Sequence, residues 1–270
     1  MEDILTEIPP PSRFFLEDLN NFCPPSPRLP SSFLLFSTSK QEKYSRPSLL
    51  IIAMSSPSLQ VFHHVSSKTL VGTLILPEIP LSGNSVEPSL KDKSCNIYAL
   101  NEDDNLTMIV SLQFPVTEER SHAVAKLLIG EQIIPEKVLI LDSIRSSNFR
   151  GRLSPDEAVA FKLESSTERK AKADGHQDSP LVKCTDYLPS GSVVDGLAAA
   201  LLSRCQLKKI RGTLCVSWPD VGVSVMSLVK SLLLKDVLSH VKDIDMKNLE
   251  EEFLKLGRSK DFRRDSGLYT

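Results

Sequence analysis

The sequence predicts an α/β fold: a single domain with a central, largely parallel sheet flanked by helices. Two patterns predict it. Short runs of branched apolar residues recur along the chain, several of them apolar at nearly every position, as strands covered on both faces are. Segments with apolar residues at helical spacing alternate with those runs, the order that builds a sheet with helices on its faces. The composition agrees, because a chain of 270 residues that is 41% hydrophobic and 24% charged can close a real core.

Taken in order, residues 1–47 hold eight of the 18 prolines (Pro9, Pro10, Pro11, Pro24, Pro25, Pro27, Pro30, Pro47), a density that blocks helix and sheet pairing. They are expected to form a proline-rich extension outside the fold. Two short apolar patches within it, Phe14-Phe15-Leu16 and Phe33-Leu34-Leu35-Phe36, are candidates to dock on the domain or on a partner. Strands are expected at Leu49–Met54, Cys95–Leu100, Leu106–Phe114, Lys137–Ser143, Ala158–Leu163 and Thr213–Trp218. Helices are expected at Ser58–Ser67, Glu118–Ile129, Val193–Gln206 and Val221–Val241, the third with Ser190 and Ser192 as candidate caps. The polar stretch Glu164–Asp178 reads as a long surface loop. A last amphipathic piece with Met246, Leu249, Phe253 and Leu254 at helical spacing ends near Gly257, so the domain is expected to span 48–257 and a polar tail 258–270.

Charge excludes one class of function. With 32 basic and 34 acidic side chains and a net charge of -2, the chain lacks the cationic excess that phosphate-dominated binding requires, so no nucleic-acid partner is expected. The run Leu49-Leu50-Ile51-Ile52-Ala53-Met54 is far below the roughly 20 residues of a bilayer span, and no membrane span is expected. Acids in Met1-Glu2-Asp3-Ile4-Leu5-Thr6-Glu7 argue against a signal or transit peptide. The five cysteines (Cys23, Cys95, Cys184, Cys205, Cys215) have no C-x-x-C spacing and read as buried or free thiols of a reducing compartment, the cytoplasm or the nucleus. Asn105-Leu106-Thr107 has the glycosylation spacing but opens a strand-like run, and is read as chance.

An α/β fold raises the question of an active site. The first strand–helix junction, Met54-Ser55-Ser56-Pro57-Ser58, has no glycine to admit a pyrophosphate. Gly191 and Gly196 have phosphate-loop spacing, but Leu197 and Ala198 stand where Lys and Ser or Thr are needed. Gly191-Ser192-Val193 is only a fragment of a nucleophile elbow. His63 and His64 are adjacent and diverge on a helix, unlike an i, i+4 metal pair. Asp142-Ser143 sits at the carboxyl end of an apolar strand, the edge where open α/β sheets bind ligands, which makes it a candidate pocket. Trp218-Pro219-Asp220 follows another strand and reads as a turn and helix start. No catalytic residue, metal ligand or cofactor is assigned.

The sharpest feature is the terminus, Leu268-Tyr269-Thr270, preceded by Ser266 and Gly267. A hydrophobic residue, a tyrosine and a last residue with its carboxylate resembles the motif by which proteasome activators and assembly factors dock between neighbouring α subunits of the core-particle ring. Such a terminus is a carboxylate-capture element: Leu268 for an apolar slot, Tyr269 for ring packing and Thr270 for a charge-assisted hydrogen bond to a lysine.

The interior also resembles the proteasome assembly chaperone 1 family. The similar segments are Ser48-Leu49-Leu50-Ile51-Ile52-Ala53, the stretch from Val193-Val194-Asp195-Gly196-Leu197 through Arg204-Cys205-Gln206, then Lys209-Ile210 leading to Trp218-Pro219-Asp220, and the terminus itself. The resemblance implies a non-catalytic α/β chaperone that pairs with proteasome assembly chaperone 2, sits on the α ring of the 20S proteasome, promotes assembly of its α subunits and keeps regulatory particles off the immature core. Two other classes stay open: an enzyme of the nucleoside-phosphorylase or hydrolase kind working at Asp142-Ser143, and an activator of the mature proteasome.

Overall fold

The structure is a computed structural model that describes residues 30–37, 46–79, 82–85, 87–102, 105–130, 132–154, 156–173, 182 and 185–237. Among these residues the strands are β1 (Phe33–Phe36), β2 (Leu49–Ala53), β3 (Thr69–Ile75), β4 (Cys95–Glu102), β5 (Asn105–Leu112), β6 (Lys137–Ser143), β7 (Val159–Glu164), β8 (Asp186–Tyr187) and β9 (Arg211–Trp218). The helices are α1 (Ser56–His63), α2 (Glu118–Leu128), α3 (Ser166–Ala173), α4 (Gly196–Lys208) and α5 (Val223–Leu232), the last continued by a π-turn, Leu233–Val237. One sheet holds the strands in the order β1-β3-β4-β5-β2-β6-β9-β7-β8. Its centre, β5-β2-β6-β9, is parallel. The antiparallel pairings of β1, β3 and β4 on one side and of β7 on the other extend it.

Alternation in the central strands explains the three layers. In β2, Leu50 and Ile52 face a core shared with Val124 and Leu128 of α2 and Leu197, Leu201 and Cys205 of α4. Ile51 and Ala53 face the opposite core, with Val61 and Phe62 of α1 and Val225, Met226 and Val229 of α5. Both sets are fully buried at 0% exposure, so β2 needs apolar side chains at successive positions, which is why it reads as a continuous run. Removing Leu50, Ile51 or Ile52 from water contributes about 1.5–3 kcal/mol each.

Helix limits follow their caps. Helix α1 begins two residues before the expected Ser58 because Ser55 Oγ accepts from the Ser58 N–H at 3.4 Å and Pro57 occupies the first turn. It stops at His63, where the Lys68 ammonium donates to the His63 carbonyl and, at 2.9 Å, to the Val65 carbonyl. Burial pushes the Lys68 pKa down to about 8. Helix α4 does not start at Val193, and neither Ser190 nor Ser192 caps it: Asp195 is the N-cap. Ser192 Oγ instead accepts from the Arg150 N–H at 2.8 Å, and the Val193 N–H donates to the Asn148 carbonyl at 2.8 Å. These bonds hold residues 192–193 against the 148–150 segment in a non-helical path. Lys209, in the left-handed region at φ 56°, ends α4 and turns the chain into β9.

Two further expectations are corrected. Residues 1–47 do not lie wholly outside the fold, because Phe33–Phe36 pairs antiparallel with β3, from Phe33 opposite Ile75 to Phe36 opposite Gly72, and buries Leu34. The rest of the extension is largely outside the described residues. The stretch Glu164–Asp178 is not a continuous loop, since Ser166–Ala173 forms α3. Ser165 Oγ accepts from the Glu168 N–H at 3.3 Å, and Glu168, with its side chain 0% exposed, meets Arg211 of β9 at 2.7 Å. A helix that docks through a charged residue has no apolar stripe to announce it. The amphipathic piece at 246–254 and the tail lie outside the described residues.

Cys95, Cys205 and Cys215 are free and buried, and burial raises their thiol pKa values to about 11, 12 and 12. No helix among the described residues is long and apolar enough to cross a membrane. No group of three or more His, Cys, Asp or Glu side chains among them is arranged to hold a metal ion.

Candidate functional site

The four parallel strands end on the same edge of the sheet, and α1, α2, α4 and α5 all begin there. Such an edge leaves a crevice between helix starts. In this chain it is a cleft of about 820 Å3. Met54, Leu59, Leu112, Phe114 and Leu197 supply apolar wall, while Gln60 and His63 come from α1. Three aspartates reach it from separate elements: Asp142 from the end of β6, Asp195 from the start of α4 and Asp220 from beyond β9. Arg145 and Lys91 are its basic residues. A side recess of about 130 Å3, between residues 144–148 and 193–195, shares Asp142, Ser143, Arg145 and Asp195.

The carboxylates are differently held. Asp195 caps α4 by position, yet its side chain makes no capping bond to the helix. Its Oδ2 accepts instead from Asn148 Nδ2 at 2.8 Å and lies 3.7 Å from Arg145 Nη1. Asp142 Oδ1 accepts the Ser143 N–H at 2.8 Å. Burial raises the Asp142 pKa to about 6, against the lowering effect of that N–H, and the charges of Asp220 and Asp195 push the same way as burial.

A raised carboxyl pKa costs stability once the group ionises. Below the ordinary value of 3.8 both folded and unfolded chains hold the proton, and between 3.8 and about 6 the folded chain holds more of it, so stability falls as pH rises through that window. Asp142→Asn is therefore expected to stabilise the protein at pH 7, by about 1–2 kcal/mol, and to gain nothing near about pH 4. Thermal unfolding of both chains at the two pH values measures this; a variant less stable than wild type at neutral pH would refute it.

The structure places Asp142 and Ser143 in the cleft, as their strand-end position predicts. Their mutual contact runs from backbone N–H to carboxylate, which orients the acid and leaves the hydroxyl unactivated by it. His63 and His64 stack edge to face with ring centroids 5.3 Å apart, and only His63 lines the cleft. Asp195, Asp220 and Arg145 were not singled out as site residues, because each has an ordinary helix-start or turn explanation until the strand order brings them together. Leu268, Tyr269 and Thr270 lie outside the described residues.

No protein-family model and no curated protein sequence matches the chain. Solved structures do match its fold, an α/β/α sandwich around a mixed sheet with a parallel centre. PbaB of Pyrococcus furiosus, described as an archaeal proteasome activator, superposes with a TM-score of 0.57 at 14% identity over 87% of this chain and 98% of that one. PbaA of the same organism, described as an archaeal homolog of proteasome-assembly chaperone, matches with a TM-score of 0.50 at 14% identity over 89% and 100%. A Thermoplasma acidophilum protein of unknown function matches at 0.54 and 18% identity over 85% and 91%. The chain thus has the fold of these proteins along nearly their whole length.

Proposed function

We propose that this chain is a non-catalytic chaperone of 20S proteasome assembly, working as a heterodimer with proteasome assembly chaperone 2. It promotes α-ring formation and docks Leu268, Tyr269 and Thr270 in a pocket between neighbouring α subunits. The observation that carries the reading is the fold, shared with an archaeal proteasome activator and an archaeal assembly-chaperone homolog, and the segment Leu268-Tyr269-Thr270 of the sequence supports it. Full burial of Leu268 contributes about 1.5–3 kcal/mol, and a charge-assisted bond to the Thr270 carboxylate about 1.5–3 kcal/mol. Ordering a tail offsets part of both, so the body has to supply further contact.

The test is to append one alanine after Thr270, which displaces the carboxylate without touching the fold. Co-expressed with the second chaperone, the extended chain is expected to keep its 1:1 partner and to lose about tenfold or more in α-subunit binding. Undiminished co-purification of α subunits would overturn the docking role. Wild-type chain that prefers mature core particles over α-ring intermediates would identify an activator instead.

A further inference from the structure

We propose that β1 is a sheet-extending edge by which the chain pairs with a second copy of itself, antiparallel about Leu34. Alternation along the strand divides its four residues. Leu34 is buried in the core, and the Phe36 ring lies over Gly72, so close that a Cβ on Gly72 would stand 2.9 Å from it. Phe33 and Leu35 point to the other face, 50% and 59% exposed, beside the half-buried Ile75 and Thr73 of β3. The strand is thus seated firmly on one face and bare on the other.

The backbone divides the same way. The Ser37 N–H donates to the Val71 carbonyl at 2.9 Å, so in the antiparallel ladder the N–H and C=O groups of Phe33 and Leu35 also turn toward β3. Those of Leu34 and Phe36 turn away, and β1 is the last strand of the sheet, with no strand beyond it among the described residues. Edge strands are usually guarded by a lysine, a proline or a bulge. The stretch Ser31–Ser37 has no charged residue and no proline, and β1 meets β3 in unbroken register.

The strand complements itself, and this selects the occupant. About a two-fold axis at Leu34, the outward N–H of each Leu34 meets the C=O of the other, and Phe33 falls opposite Leu35 of the second copy, with Leu35 opposite its Phe33. Each is a close cross-strand pair of an aromatic and an aliphatic side chain, drawn from residues that are exposed in the single chain. An uncharged strand meets no like charge in its own copy, and nothing on it selects a charged partner. The contact is smaller than the about 1,200–2,000 Å2 of a stable interface, so the dimer is reversible, with a dissociation constant on the order of 10–100 μM. It needs no second chaperone, so this pairing and the assembly role fail independently.

The experiment is sedimentation velocity of the full chain, alone and reduced, from about 1 to about 300 μM, a range over which wild type is expected to pass from monomer to dimer. Leu35→Lys is expected to weaken the dimer about tenfold or more at an unchanged melting temperature, whereas Leu207→Lys, at a position 76% exposed on α4, leaves it intact. The register is read by mixing Phe33→Cys and Leu35→Cys chains and oxidising them, because the opposed positions stand about 4.5 Å apart between Cα atoms, within disulfide reach. Mass spectrometry is expected to find position 33 of one chain linked to position 35 of the other. A chain that stays monomeric to the top of the range overturns the proposal. So does a dimer that Leu35→Lys leaves unchanged or that Leu207→Lys weakens as much, and so does a mixture without the linkage between positions 33 and 35.

Discussion

Arg211→Ala is expected to destabilise the protein by about 3–5 kcal/mol, a drop in melting temperature of about 10 °C. Arg211 opens β9, and its Nε and Nη2 reach the two oxygens of Glu168 at 2.7 and 3.4 Å. Glu168 is fully enclosed and Arg211 nearly so, with side-chain exposures of 0% and 15%. Deleting the guanidinium would strand a buried carboxylate, a far larger loss than that of a surface pair. It would also loosen α3, which Ser165 ties to the same strand: Ser165 Oγ donates to the Ile210 carbonyl at 3.1 Å and accepts from the Gly212 N–H at 3.0 Å. A second change, Glu168→Gln, removes the stranded charge and is expected to restore about half of the loss. Chemical denaturation of wild type, Arg211→Ala and Arg211→Ala/Glu168→Gln measures these effects. A loss below about 1 kcal/mol in Arg211→Ala would show that Glu168 is reached by water.

The neighbouring residue gives the second large effect. Gly212 has no left-handed backbone angle to explain it. Its role is proximity, since a Cβ built there would lie 2.8 Å from Cys205 Cβ and 2.9 Å from its Sγ. Cys205 is buried on α4 at 0% exposure, so neither partner has room to yield without moving helix from sheet. Gly212→Ala is expected to cost about 2–3 kcal/mol and Gly212→Val more. Cys205→Gly in the Gly212→Ala background removes the clash at the cost of about 1 kcal/mol for glycine in a helix. It should therefore be more stable than Gly212→Ala alone. If the double variant is the weaker one, the tight α4–β9 approach is not what limits this position.

Much of the architecture was legible because burial on both faces leaves a plain mark. Each of the six strands expected from apolar runs is present, and they include the whole parallel centre. The strands that were missed have physical reasons. In β3, Gly72 interrupts the run and the register shifts between Leu70 and Gly72, while exposed Leu70 and Thr69 blur the inside–outside pattern. Strand β8 is two residues long. Phe33–Phe36 reads as an apolar patch and a candidate to dock on the domain or a partner, and only its pairing with β3 makes it a strand. The cleft was legible at one point, Asp142-Ser143, because a strand end is a local feature. Its other acids were not, since what joins Asp195 and Asp220 to Asp142 is strand order, and order is a property of the whole chain.

The placement of β9 between β6 and β7 has a consequence for biosynthesis. The meander β3-β4-β5 pairs neighbours in sequence and needs nothing made later, whereas Asp142 of β6 and Ser217 of β9 are 75 residues apart. At about 5–20 residues per second, roughly 4–15 s separate the emergence of the two strands from the ribosome. Throughout that interval one edge of β6, with Val138 and Ile140 in it, has no strand to pair with, and β7 lacks the partner that holds it to the sheet. An open, apolar strand edge is a template for the wrong chain as readily as for the right one. The nascent chain is therefore most exposed to mispairing in the seconds before β9 closes the sheet.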